Sequence, residues 1–208
     1  MLSSQRQKEV SACLSVLGAA FSNDPKKAEH ADYYEGLARL AEEGDWPCGL
    51  SEETGRAFSL MAHGLEDRDS LHRAYQRLFI GPGHIAAPPW GSVYLDRNCV
   101  LYGSSLFDLR EWMHAHGIEV HWNKKEPEDH AGTLLFLAGW VVQEKPSLLT
   151  ELLSEHILPW LPTFLDELEK SAESPFYEGL ARLTRETIAA IAKETGAQAA
   201  SKRIYFES

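Results

Sequence analysis

Five consecutive residues, Glu126-Pro127-Glu128-Asp129-His130, carry most of the candidate chemistry in this chain. Read as the start of a helix, they place Glu126, Asp129 and His130 at i, i+3 and i+4, on one face. Carboxylates beside an imidazole can take a guanidinium or another cation, hold a metal, or work as an acid/base pair. Acids at a helix N-terminus also complement the macrodipole and cap free amides, and that structural role competes on equal terms. An enzyme built here would be a metal- or acid/base-dependent hydrolase centred on these three residues. A metal would need further ligands. His114 and His116 lie two apart on a helix and point to nearly opposite sides, and no HExxH is present. The sequence also lacks GxxxxGK[ST], GxSxG and CxxC, so nucleotide binding and covalent catalysis have no signature. The reading is no metal and no cofactor.

The second feature is a long loop. From Gly81 to Gly103 no helical period is sustained, and Gly81-Pro82-Gly83 and Pro88-Pro89-Trp90-Gly91 break any helix. Between Arg77 and Asp96 there is no Asp, Glu, Lys or Arg, but there are Ile80, Ile85, Pro88, Pro89, Trp90, Val93 and Tyr94. Such a loop must pack on something, either as a rigid cover over the core or as the wall of an apolar groove. Ser92–Leu95 is expected to be extended and to pair with Val100–Tyr102.

The elements that must position these residues are helical. Val10, Leu14, Leu17 and Phe21 form one stripe of a first helix, which Asn23-Asp24-Pro25 ends. Further helices are expected over Lys27–Glu42, from Ser51, and from Asp69 or Ser70. Another should open at Ser105, where Ser105-x-x-Asp108 imitates a capping box. The stretch from Pro127, placed as a first-turn proline, to Gln143 is apolar nearly all round and marks a buried central helix. Gly132 and Gly139 lie on nearly one side of it, where another helix could approach. Helices near Pro146–His156, Thr163–Ala172 and Phe176–Lys193 complete an all-α chain of about eight to ten helices. It reads as one domain over residues 1–208, with 1–118 and 119–208 as candidate lobes.

Composition bounds the partners. The chain has 208 residues, 20 Lys+Arg, 31 Asp+Glu and a formal net charge of −11. Nucleic acid and anionic membranes reward positive surfaces, so both are disfavoured, whereas basic peptides are not. The run Leu134–Val142 is far short of the ~20 residues that span a bilayer. The opening MLSSQRQKEV lacks a signal-peptide core, and the reading is a cytoplasmic protein without stable membrane insertion.

Tyr75-Gln-Arg-Leu-Phe-Ile-Gly-Pro82, then Pro88-Pro-Trp-Gly-Ser-Val-Tyr-Leu-Asp96, then Glu126–His130 resembles the TorD–DmsD–NarJ family of redox enzyme maturation chaperones. The likeness extends over essentially the whole chain and is nearest the DmsD branch. It implies an all-α fold and no catalysis. It implies a cytosolic chaperone that binds the twin-arginine signal peptide on the catalytic subunit of a dimethyl sulfoxide reductase-like molybdopterin oxidoreductase. The client would be held for cofactor insertion and then released to the Tat machinery. Carried over by position, the peptide site would comprise Tyr75, Phe79, Gly81, Pro82, Pro89, Trp90, Ser92, Tyr94 and Gly103, with Glu126, Asp129 and His130 as its polar part. Gly83 and Ser22 stand where members of that branch often carry bulkier residues.

Overall fold

Four apolar residues of the first stripe, Val10, Leu14, Leu17 and Phe21, are wholly buried, and they set the position of the first helix, α1 (Ser4–Ser22). The computed structural model describes residues 2–49, 52–81, 83, 85–119 and 126–206. Within them follow α2 (Ala31–Glu43), α3 (Glu52–Leu65), α4 (Arg68–Tyr75), α5 (Gly91–Leu95) and α6 (Ser104–Ala115). Then come α7 (Ala131–Glu144), α8 (Leu149–Leu152), α9 (Leu161–Ser171) and α10 (Pro175–Thr195). Among the described residues the only β pairing is an isolated antiparallel bridge between Trp90 and His130.

Two helix pairs form the frame, and glycines set how close each pair comes. Helix α7 is buried on most sides, as its composition requires, and packs along α1. A Cβ at Gly132 would lie 2.7 Å from the Gly18 carbonyl oxygen, and one at Gly18 would lie 2.8 Å from that of Gly132. The backbones therefore touch where side chains would hold them apart. Helix α10 packs on α3 in the same way through Gly64 and Gly179. Between the pairs lies a shared aromatic core. Phe21 of α1 meets Phe79 at 6.2 Å and Phe164 of α9 at 5.7 Å, and Phe79 meets Tyr177 of α10 at 5.3 Å.

Four local expectations need correction. Ser92–Leu95 is not extended: it lies in helix α5, and Val100–Tyr102 does not pair with it. The cause is distant in sequence, because the Asp129 carboxylate accepts the Ser92 amide and seeds the turn. Pro127 is not in a helix. Pro127–His130 is a turn closed by His130 N–H to Pro127 O, and α7 begins only at Ala131, where the His130 ring accepts the Gly132 amide. Glu126, Asp129 and His130 consequently do not share a helical face. Helix α6 starts at Ser104 without the expected capping box, and Asp96, across the loop, accepts the Ser104 amide instead. Finally, α2 starts at Ala31, after a 3₁₀ turn over Ala28–His30, rather than at Lys27.

Candidate functional site

Helix α4 does not end at Tyr75. It continues as one π turn over Gln76–Ile80, closed by Gly81 N–H to the Gln76 carbonyl. Single π turns mark functional sites more often than chance. Here the turn keeps the Tyr75 and Phe79 rings together, with centroids 5.6 Å apart, at one wall of a cleft. Gly81 then leaves at φ 87° and ψ −169°, a conformation that needs glycine.

The cleft holds about 280 Å³. Phe21, Ser22, Asp24 and Lys27 line it from the end of α1, Tyr75, Phe79 and Ile80 from α4 and its π turn, and Glu126, His130 and Thr133 from the start of α7. Its electrostatics rest on two carboxylates. Burial alone would push Asp24 up, but the Lys26 amide, the His72 ring at 2.8 Å and nearby Lys27 hold it below the ordinary carboxylate range. Glu126 is exposed on the other side and accepts the Trp90 indole N–H at 3.2 Å. Burial, with the negative fields of Asp24 and Glu126, pushes the Tyr75 hydroxyl up to about 12. Both acids thus act on one phenol between them. Among the described residues the one ammonium at the cleft, Lys27, is exposed and reaches Glu29.

The residues singled out from the sequence fall into two groups. Tyr75, Phe79, Glu126 and His130 meet in the cleft. Trp90 stands at its edge, 5.9 Å from the His130 ring, and also lines a second, apolar groove of about 450 Å³ with Gly83, Ile85, Pro88, Val93, Leu101 and Phe206. Gly81 flanks the cleft wall. Pro82 lies outside the described residues. Pro89, Ser92, Tyr94, Gly103 and Asp129 are buried behind these surfaces and hold them in place. Pro89 O accepts the Ala131 amide at 2.7 Å, and Gly91 N–H donates to Asp129 O at 3.0 Å, so the loop is stitched to the start of α7. Tyr94 is stacked on Trp160. At Gly103 a Cβ would lie 2.7 Å from that of Asp96.

Asp129 is 3% exposed and accepts the Ser92 amide at 2.6 Å, so it clamps the loop. Glu128 is engaged by Arg110 at 2.7 Å. Sequence reasoning missed Asp24, which it read only as a helix stop, and Phe206. No local pattern marks either one.

The Asp129 clamp makes a stability prediction. Burial raises its carboxyl above the ordinary value, against the opposing effect of the Ser92 amide, and Glu128 adds to the rise. The folded protein therefore keeps this proton at pH values where the unfolded chain has lost it. The ionised form weakens the fold at neutral pH, and stability is regained as pH falls toward the ordinary value of about 4. Asp129→Asn should be no less stable than wild type at pH 7 and should lose this part of the pH dependence. Asp129→Ala strands the Ser92 N–H and should cost about 1–3 kcal/mol. Urea midpoints at pH 5 and pH 7 check both, and an Ala variant as stable as wild type would contradict the clamp.

The sequence profile described as nitrate reductase delta subunit matches residues 49–166. The Tat proofreading chaperone DmsD of Salmonella typhi is 41% identical over 175 residues, 84% of this chain and 84% of that protein. The chain belongs to the TorD–DmsD–NarJ family. A Haemophilus influenzae protein named as a probable DmsD of the same kind is 37% identical, covering 87% of this chain and 89% of its own length. A crystal structure assigned as a redox enzyme maturation protein from Archaeoglobus fulgidus has a similar fold, with a TM-score of 0.54 at 20% identity, and covers 83% of this chain and 90% of that one. This is a family of redox enzyme maturation chaperones, not of catalysts, and the hydrolase alternative finds no support in it. Among the described residues no group of three or more His, Cys, Asp or Glu side chains could hold a metal, and no helix is long and apolar enough to cross a membrane.

Proposed function

We propose that the chain, acting as one helical domain in the cytoplasm, binds the twin-arginine signal peptide of a redox enzyme's catalytic subunit. The client class is a molybdopterin oxidoreductase of the dimethyl sulfoxide reductase type, held for cofactor insertion before it reaches the Tat machinery. The observation that carries the reading is the pairing of Asp24 and Glu126 at one aromatic-walled cleft, with Trp90 bonded to Glu126 and lining an uncharged groove. A twin-arginine leader has the complementary order, a basic head followed by an apolar stretch. Guanidinium planes stack on aromatic rings and bond carboxylates bidentately, which ammonium groups do not. Ser22 and Gly83, where members of the DmsD branch often carry bulkier residues, line the cleft and the groove respectively. Smaller residues there leave room for bulkier client side chains.

Magnitudes suit a chaperone that must let go. Burial of apolar side chains, at roughly 1.5–3 kcal/mol each, is offset by the costs of ordering the leader and of association. A Kd of about 1 μM, near −8 kcal/mol, would hold a client and still release it.

Isothermal titration with a panel of leaders tests the reading, and one-to-one binding of a leader with a micromolar Kd is expected. Glu126 is exposed, so its share is small. Glu126→Gln should weaken binding by about two- to five-fold at low salt, the range of a surface ion pair, and the loss should shrink as salt is added. A folded protein that binds no leader would overturn the proposal.

A further inference from the structure

We propose that the segment after α10 is part of the peptide site, with Phe206 forming a wall for the leader's apolar stretch; this rests on the leader-binding reading above. Helix α10 stops at Gly196, in the left-handed conformation at φ 74°. The chain then runs back across the molecule without regular structure, tied at intervals. Gln198 N–H donates to Ser154 Oγ, Ala200 N–H to Ser154 O, Lys202 Nζ to Glu155 O, and Tyr205 N–H to Tyr94 O at 2.8 Å. That last bond latches the segment beneath the loop. Tyr94 is fully buried and stacked on Trp160, so the latch has a fixed anchor. One residue on, the Phe206 ring sits 4.8 Å from the Tyr94 ring and reaches the apolar groove, facing Trp90, Val93 and Leu101.

Three observations point to a ligand wall rather than to simple core filling. Phe206 is only partly buried, so its ring keeps a free surface, and that surface lies in the groove. The groove is tied to the acidic cleft at Trp90, which lines the groove and whose indole N–H bonds Glu126 of the cleft. The family profile ends at residue 166, so this wall is supplied from outside the region it matches. A segment of that kind suits a feature that tunes the choice of client.

The alternative role for such a segment is a plug that occupies the groove until the leader displaces it. The two roles give opposite signs. As a wall, Phe206 strengthens binding, and as a plug it weakens it.

Two labelled peptides make the test by fluorescence anisotropy with the full chain: a complete leader and a head-only peptide that keeps both arginines but lacks the apolar stretch. Phe206→Ala should weaken the complete leader about ten-fold and leave the head-only peptide unchanged. Phe206→Leu should recover most of the loss. Tyr205→Pro removes the latching N–H while keeping Phe206, and should weaken the complete leader by a similar factor. Unchanged or tighter binding of the complete leader by Phe206→Ala overturns the proposal, and so does equal weakening of both peptides. Wild-type protein that takes up neither peptide overturns the leader reading itself, and the wall with it.

Discussion

Gly179→Val is expected to destabilise the protein by about 3 kcal/mol, at the top of the usual range for overpacking a helix interface. A Cβ at this position would lie 2.5 Å from the Ala57 carbonyl oxygen, 2.8 Å from Met61 Cγ and 3.0 Å from Leu60 Cβ. The first of these is backbone on α3 and cannot turn aside, so the two helices must separate. Gly179→Ala adds one methyl and regains about 1 kcal/mol of helix propensity, so its net cost should be smaller, about 1–2 kcal/mol. Gly36 is the control. It is also in a helix, α2, but a Cβ there meets nothing within 4 Å, so Gly36→Ala should gain stability from propensity alone. Urea midpoints of the three variants decide the matter. If Gly179→Ala stabilises as Gly36→Ala does, the α3–α10 contact is looser than described. Because α10 also carries Tyr177 against Phe79, separation here should reach the cleft wall, and leader binding should weaken along with stability.

These seams show where the sequence is legible. The stripe of α1 and the all-round apolar character of α7 follow from composition and period, and Gly132 and Gly139 were recognisable as a close-approach face. Gly64 and Gly179 were not, because a glycine in a polar-looking helix carries no mark of what lies opposite. The candidate site divides along the same line. Tyr75, Phe79 and Trp90 stood out as aromatics beside glycine and proline. The partition of the acids did not, because it depends on contacts between distant segments. Asp129 is buried by the loop that precedes it by nearly forty residues, Glu128 is engaged by Arg110, and Asp24 comes to the cleft from the end of α1. The mistaken strand at Ser92–Leu95 has the same origin. No helical period is sustained around it, and the deciding hydrogen bond comes from Asp129.

Trp90→Ala is expected to weaken leader binding by about thirty-fold, roughly 2 kcal/mol, the level that defines an interface hot spot. Its indole has two duties. The N–H holds Glu126 at 3.2 Å and so fixes one acid of the cleft, and the ring lines the apolar groove beside Val93 and Leu101. Removing the side chain therefore loses apolar burial and leaves Glu126 free to turn into solvent. The fold should survive, because Trp90 is only partly buried and its backbone bridge to His130 does not depend on the side chain. Trp90→Phe separates the two duties: it keeps much of the apolar contact but has no N–H donor. If burial dominates, Trp90→Phe should bind within about five-fold of wild type and its remaining loss should fade with added salt, the signature of a misplaced surface carboxylate. The groove would then hold more of the affinity than the cleft. Truncating the leader's apolar stretch would hurt more than exchanging its arginines for lysines. A Trp90→Phe variant as weak as Trp90→Ala would reverse that order and place the energy in the acid that the indole positions. Trp90→Ala binding as wild type would remove Trp90 from the site, and with it the side chain that ties the groove to the acid of the cleft.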